Sequence, residues 1–173
     1  MRRPHENTYW LEPNRILAGE YPGSHEPGTT DARLRDYLAC GITDFLDLTT
    51  PGELEPYEER LSLLAGPGSA EIRYQRFPIR DMKVPERPEV MIGILDEIDR
   101  CVEDGGTVYV HCWGGIGRTG TVAGCYLVRH GLTGDSALNQ LARLWPQMKK
   151  SGWYPTTPQT TEQFEYIRGW RER

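Results

Sequence analysis

Apolar residues recur along this chain with two periods, and the switches between them lay out its elements. From Pro88 onward Val90, Met91, Ile94, Leu95, Ile98, Cys101 and Val102 form a stripe of period near 3.6. This predicts an amphipathic helix opened by proline and stopped at Gly105-Gly106. Val108-Tyr109-Val110 is short and alternates, which predicts a strand ending near Cys112. After a glycine-rich turn, Thr119 to His130 is apolar nearly all round and meets Gly131, the pattern of a buried helix.

The same reading runs through the rest of the chain. It predicts a short strand over 15–19 and a helix over 31–39, capped by Thr29 or Thr30, with Leu34, Tyr37 and Leu38 inward. A buried strand over 42–48 follows. Glu53 to Leu64 reads as an amphipathic helical stretch ended by Gly66-Pro67-Gly68, its glutamates forming a solvated face. Residues 72–79 alternate as a strand whose pairing loosens at Pro78. A helix over 134–144 is disturbed by Trp145-Pro146. The last helix has Thr157 as its cap, Pro158 at its first position, and Phe164, Ile167 and Trp170 on its buried side. Alternating helices and strands predict an α/β layer arrangement, and 173 residues suit a single domain over 1–173.

Composition removes several classes of function. A net charge of -5 and a pI of about 5.4 argue against a broad nucleic-acid or anionic-membrane surface. The basic start lacks a following apolar region, no long apolar run occurs, and Cys40, Cys101, Cys112 and Cys125 show neither CxxC nor metal-ligand spacing. The expectation is a cytoplasmic protein with reduced thiols, no membrane segment, no metal and no cofactor.

The chemistry concentrates in His111-Cys112-Trp113-Gly114-Gly115-Ile116-Gly117-Arg118-Thr119-Gly120. A glycine-rich loop leading from a strand into a helix delivers backbone N–H groups and the positive end of the helix dipole to one place, which attracts anions. Five residues separate Cys112 from Arg118, so the loop can wrap one tetrahedral oxyanion and close it with a guanidinium fork. The same field favours a thiolate at Cys112, a nucleophile aimed at phosphorus. Trp113, Gly114, Gly115, Ile116, Gly117 and Arg118 are then the phosphate-binding residues. A buried cysteine beside a turn-rich loop with a structural arginine is the plain alternative.

This motif resembles the signature of the cysteine-dependent protein tyrosine and dual-specificity phosphatases, and the likeness runs from Leu17 to Trp170. It is closest to the compact phosphatases around the cyclin-dependent-kinase-associated type, with Pro78-Ile79-Arg80-Asp81, the cysteine loop and a late Gln159-Thr160 segment in the same order. The resemblance implies a central mixed, mostly parallel sheet flanked by helices in three layers. It also implies a hydrolase acting through a cysteinyl-phosphate intermediate.

Asp81, on a loop at a strand end, would protonate the departing oxygen and later activate water. An aspartate capping a turn is its structural alternative. Thr119 supplies a hydroxyl for the leaving thiolate, or caps the helix. His111 orients the cysteine loop, or simply packs. Gln159 positions the hydrolytic water, and Gln163, one turn on in the predicted helix, supports it. Two features depart from the family: Thr119 replaces serine, and no tyrosine-rich recognition segment is found, which leaves phosphotyrosine against phosphoserine or phosphothreonine open. The expected partner is a phosphoprotein or phosphopeptide, met by a monomer. Inositol phosphates, phosphoinositides and nucleotides are the alternative substrates, disfavoured because the lipid and inositol phosphatases of the superfamily place lysines in this loop and residues 113–117 have none. A non-catalytic phosphate-binding module and a rhodanese-like sulfurtransferase are further alternatives.

Overall fold

A computed structural model of the chain describes residues 2–26, 28–66 and 71–172. It opens with a hairpin that the hydrophobic pattern did not disclose. β1 (Thr8–Glu12) runs antiparallel to β2 (Ile16–Gly19) through a turn in which Asn14 takes φ 60. Thr8 to Leu11 are all buried, so β1 shows none of the alternation that marks a half-exposed strand.

β2 then pairs in parallel with β5 (Val108–His111), β5 with β3 (Asp44–Asp47), and β3 with β4 (Arg73–Arg76). The order is β1-β2-β5-β3-β4, a mixed and mostly parallel sheet. Its central strands are covered on both faces, which is why they read as short apolar runs. The period of two in each strand divides the core. Ile16, Ala18, Leu46, Val108 and Val110 pack with α3 (Pro88–Glu103), α4 (Gly117–Arg129), α5 (Gly134–Leu144) and α6 (Thr161–Gly169). Leu17, Phe45 and Tyr109 face the opposite way, toward α1 (Thr29–Ala39) and α2 (Glu58–Ala65). Three layers result, as expected. Among the described residues no helix is long and apolar enough to cross a membrane.

The strands are shorter than expected, and four helix starts differ from the sequence reading, each for a local reason. Thr29 and Thr30 lie inside α1, and Gly28 in the left-handed region takes the cap position. α2 starts at Glu58, because Glu53 is drawn into a turn by accepting from the N–H and hydroxyl of Thr50. The Pro67-Gly68 part of the expected terminator lies outside the described residues. α4 starts at Gly117, which puts Arg118 in its first turn. Finally, α6 is capped by Thr160, not Thr157: Thr160 accepts from the Gln163 N–H while the Gln163 side chain reaches back, a complete capping box. Thr157 is occupied elsewhere, its hydroxyl donating to the Ile116 carbonyl at 2.7 Å.

Candidate active site

Parallel strands open their crevice at their carboxyl ends, and the turns after β3, β4 and β5 meet there. They bring Glu53, Asp81 and Cys112 to one place. Cys112 directly follows the central strand and is 3% exposed.

The loop from Cys112 to Arg118 has a consistent polarity. Its Trp113 carbonyl accepts from the Tyr21 N–H at 2.9 Å, its Gly114 carbonyl from the Lys150 ammonium at 2.7 Å, and its Ile116 carbonyl from Thr157. Within a peptide plane the carbonyl and the following N–H point in opposite directions. Three carbonyls held outward therefore turn the N–H groups of Gly114, Gly115 and Gly117 inward, and none of the N–H groups of 113–116 has a partner among the described residues. Lined up at the start of α4, they form a concavity for an anion. Gly115 is indispensable to this path: its φ is +71, and a Cβ there would lie 2.3 Å from the Gly19 carbonyl carbon.

Arg118 lies at the inner edge of this cradle with 1% of its side chain exposed. Glu53 grips one edge of the guanidinium, with Nη2 to Oε1 at 2.6 Å and Nη1 to Oε2 at 2.9 Å, and Nη1 also donates to the Ile79 carbonyl at 3.0 Å. Burial opposes ionisation of Glu53, but the hydrogen bonds from Arg118 and Thr50 and the charge of Arg118 together outweigh it and hold the carboxyl below the usual range. The guanidinium is thus oriented from behind, and its buried Nε has no partner. Asp81 approaches Nη2 at 3.1 Å and is 54% exposed, at the mouth. The Thr119 hydroxyl is buried and also lacks a partner among the described residues.

His111 is fully buried. Its Nδ1 faces the Cys112 carbonyl at 3.4 Å and its Nε2 faces the Tyr57 hydroxyl at 2.6 Å. A carbonyl only accepts, so Nδ1 carries the proton and Tyr57 donates to Nε2 in the neutral ring. Burial lowers the basicity of the imidazole against the opposing pull of Asp47. Asp47, also fully buried, collects donors from the Thr49 N–H and hydroxyl, from Tyr74 and from Arg76.

The two glutamines do not both lie in the last helix, where the sequence reading placed them. Gln159 precedes α6 and is exposed, while Gln163 is completely buried within its first turn. Both nevertheless flank the cradle: a Cβ on Gly117 would meet the Gln163 amide at 2.9 Å and Gln159 Oε1 at 3.3 Å.

The structure thus brings Cys112, Arg118, Asp81, Thr119, His111 and both glutamines around one loop. The sequence reading missed Glu53 and Lys150. Glu53 was assigned to a solvated helix face, although a turn signal, Thr50-Pro51-Gly52, stands directly before it. Lys150 lies in the polar stretch Lys149-Lys150-Ser151-Gly152, which carries no local signal of a site.

Residues 5–172 match the family described as a Swiss Army Knife protein with a DSP-PTPase phosphatase domain. The chain is similar to cyclin-dependent kinase inhibitor 3 of Homo sapiens, 28% identical over 175 residues, covering 95% of this chain and 78% of that protein. Two solved structures share the fold. Tk-PTP in its active form has a TM-score of 0.73 and 24% identity, with 94% of each chain covered. A kinase associated phosphatase with its catalytic cysteine replaced by serine has a TM-score of 0.70 and 23% identity, covering 88% of this chain and 83% of that one.

Proposed function

This chain belongs to the DSP-PTPase family of cysteine-dependent phosphatases, and on that premise we propose that it hydrolyses phosphoprotein through a cysteinyl phosphate on Cys112. The observation that carries the reading is the polarity of the loop: carbonyls pinned outward and unpartnered N–H groups inward, with the unpartnered Nε of the buried Arg118 at the end of the same loop.

In the first step the Cys112 thiolate attacks phosphorus, the bond to the leaving oxygen breaks, and Asp81 donates the proton that oxygen needs. The inward N–H groups and Arg118 hold the equatorial oxygens, whose charge grows toward the transition state. In the second step a water positioned by Gln159 gives its proton to Asp81 and attacks phosphorus. The S–P bond breaks, the Thr119 hydroxyl donates to the departing thiolate, and inorganic phosphate leaves. His111, through the Cys112 carbonyl, fixes the entry of the strand into the cradle.

Several features favour phosphoprotein. The loop has no lysine to meet additional phosphates. A shallow groove lined by Tyr21, His25, Arg33, Leu54 and Glu55 leaves the cradle at Trp113 and offers room for a chain flanking the phosphorylated residue. Cyclin-dependent kinase inhibitor 3 and the kinase associated phosphatase carry kinase in their names, in keeping with a phosphoprotein partner. Four free thiols suit a reducing, cytoplasmic setting.

Hydrolysis of p-nitrophenyl phosphate in the presence of a chelator tests the mechanism. The wild-type chain turns over and Cys112→Ser does not, while the variant still binds phosphate. Turnover that survives the substitution, or that needs added metal, overturns it. Comparison of phosphopeptides with inositol phosphates by kcat/KM tests the substrate class.

A further inference from the structure

Among the described residues Gln163 is the one fully buried side-chain amide, and it touches three segments of the site. Its Oε1 accepts from the N–H groups of Gln159 at 3.0 Å and Thr160 at 3.1 Å. Its Nε2 donates to the Lys83 carbonyl at 3.2 Å. Its flat amide lies against Gly117, where a Cβ would fall 2.9 Å from Nε2 and 3.0 Å from Oε1. A helix cap needs only the acceptor. The donor end does something else.

Lys83 ends the tight turn that carries Asp81. Its N–H closes the turn on the Arg80 carbonyl at 3.1 Å, with Met82 between them at φ 61. The turn is tied on one side by Arg118, through Ile79 and Asp81, and on the other by Gln163, through Lys83. The Lys83 ammonium to Glu162, at 3.4 Å between exposed groups, is a weaker tie to the same helix. Since 80–83 is a surface turn with a residue in the left-handed region, its position depends on these anchors.

We propose that Gln163 is a positioning residue that sets the reach of the Asp81 carboxyl by holding the 80–83 turn against the cradle, so that proton delivery to the leaving oxygen depends on it. The inference rests on the acid role of Asp81 proposed above. Through the other end of the amide, Gln163 also fixes the backbone of Gln159, so one side chain registers the acid of the first step with the water-positioning residue of the second.

The leaving group separates positioning from a general loss of fold. 4-Nitrophenolate departs with little help from an acid, whereas phenolate needs a proton, and kcat/KM reports the first step alone. Gln163→Glu keeps the acceptor for both N–H groups and replaces the donor facing the Lys83 carbonyl by an acceptor. General acids contribute roughly 10²–10⁴-fold. Q163E is therefore expected to lower kcat/KM on phenyl phosphate about 10- to 100-fold more than on p-nitrophenyl phosphate. D81N shows the same selectivity, more strongly, and the double variant adds no further selectivity to D81N, because both act on one proton transfer. Gln163→Met, which keeps the volume and loses both ends of the amide, shows the selective loss as well. A D81N enzyme without leaving-group sensitivity overturns the acid role and this inference together. A sensitive D81N beside Q163E and Q163M variants that fall equally on both substrates, or not at all, overturns this inference alone.

Discussion

Replacing Glu53 by glutamine tests whether Arg118 is oriented from behind or merely by the ligand in front. The substitution keeps the shape of the side chain, removes its charge, and turns an amide NH2 toward one of the two guanidinium nitrogens it now accepts from. Breaking a fully buried ion pair costs about 3–5 kcal/mol, because the remaining charge is left uncompensated. Here the penalty is smaller: Glu53 is 13% exposed, Asp81 still lies 3.1 Å from Nη2, and the Ile79 carbonyl still accepts from Nη1. A loss of about 2 kcal/mol follows, or roughly 4–8 °C in Tm for a domain of this size. The charge left unpaired is the one an oxyanion would meet. Bound phosphate should therefore restore much of the loss, so the Tm gap between E53Q and wild type narrows at saturating phosphate. Turnover moves the other way, because a guanidinium free to tilt misses the transition-state oxygens, and kcat/KM falls about 10- to 100-fold. The carboxyl of Glu53 is held below its ordinary range, so its stabilisation is present above the unfolded value of about 4.3 and is lost as pH falls through the folded one. The gap should accordingly close below about pH 4. Thermal unfolding with and without phosphate, beside steady-state kinetics, measures all of this. A Tm gap that phosphate leaves unchanged, or a kcat/KM within twofold of wild type, refutes the orienting role.

Two further outcomes follow from the same geometry. Gly115→Ala forces a left-handed φ and a Cβ 2.3 Å from the Gly19 carbonyl carbon, and is expected to cost more than about 2 kcal/mol and to abolish phosphate binding, read by unfolding and by phosphate titration. His111 is buried with its basicity lowered, so as pH falls the unfolded imidazole takes its proton first, and the native state loses stability below about 6.5 at up to about 1.4 kcal/mol per pH unit. Denaturation midpoints at pH 7 and 5.5 should show that loss in wild type and a shallower one in His111→Asn; equal slopes would remove His111 from the pH response.

What could be read from the chain follows the range over which each signal acts. The α3 stripe, the alternation of β5 and the Cys112-to-Arg118 spacing are contiguous, and each was legible because its cause lies within one element. Glu53 was not, because its partner is Arg118, on another element, and nothing in Glu53-Leu54-Glu55 separates a turn from the first turn of a helix. The start of α6 was misplaced for a different reason. Two cap signals compete there, Thr157-Pro158 and the box Thr160-x-x-Gln163, and the hydroxyl of Thr157 is taken by the Ile116 carbonyl. β1 escaped because burial on both faces erased its period.

Glu53 and Lys150 were missed for one physical reason, which bears on how the cradle works. A loop with three glycines among its five inner residues has little conformational preference of its own, and its N–H groups could face either way. Their direction is imposed by donors that hold its carbonyls: Tyr21 after β2, Lys150 after α5 and Thr157 before α6. Lys150 in turn is held by Glu20 at 2.6 Å, and Arg118 by Glu53 after β3. Residues contiguous in sequence thus specify which atoms can react, while segments from most of the chain specify where those atoms point. A substitution at Lys150 or Thr157, whose side chains hold two of these carbonyls, should therefore weaken oxyanion binding without touching the thiol, and the family motif alone would give no warning of it.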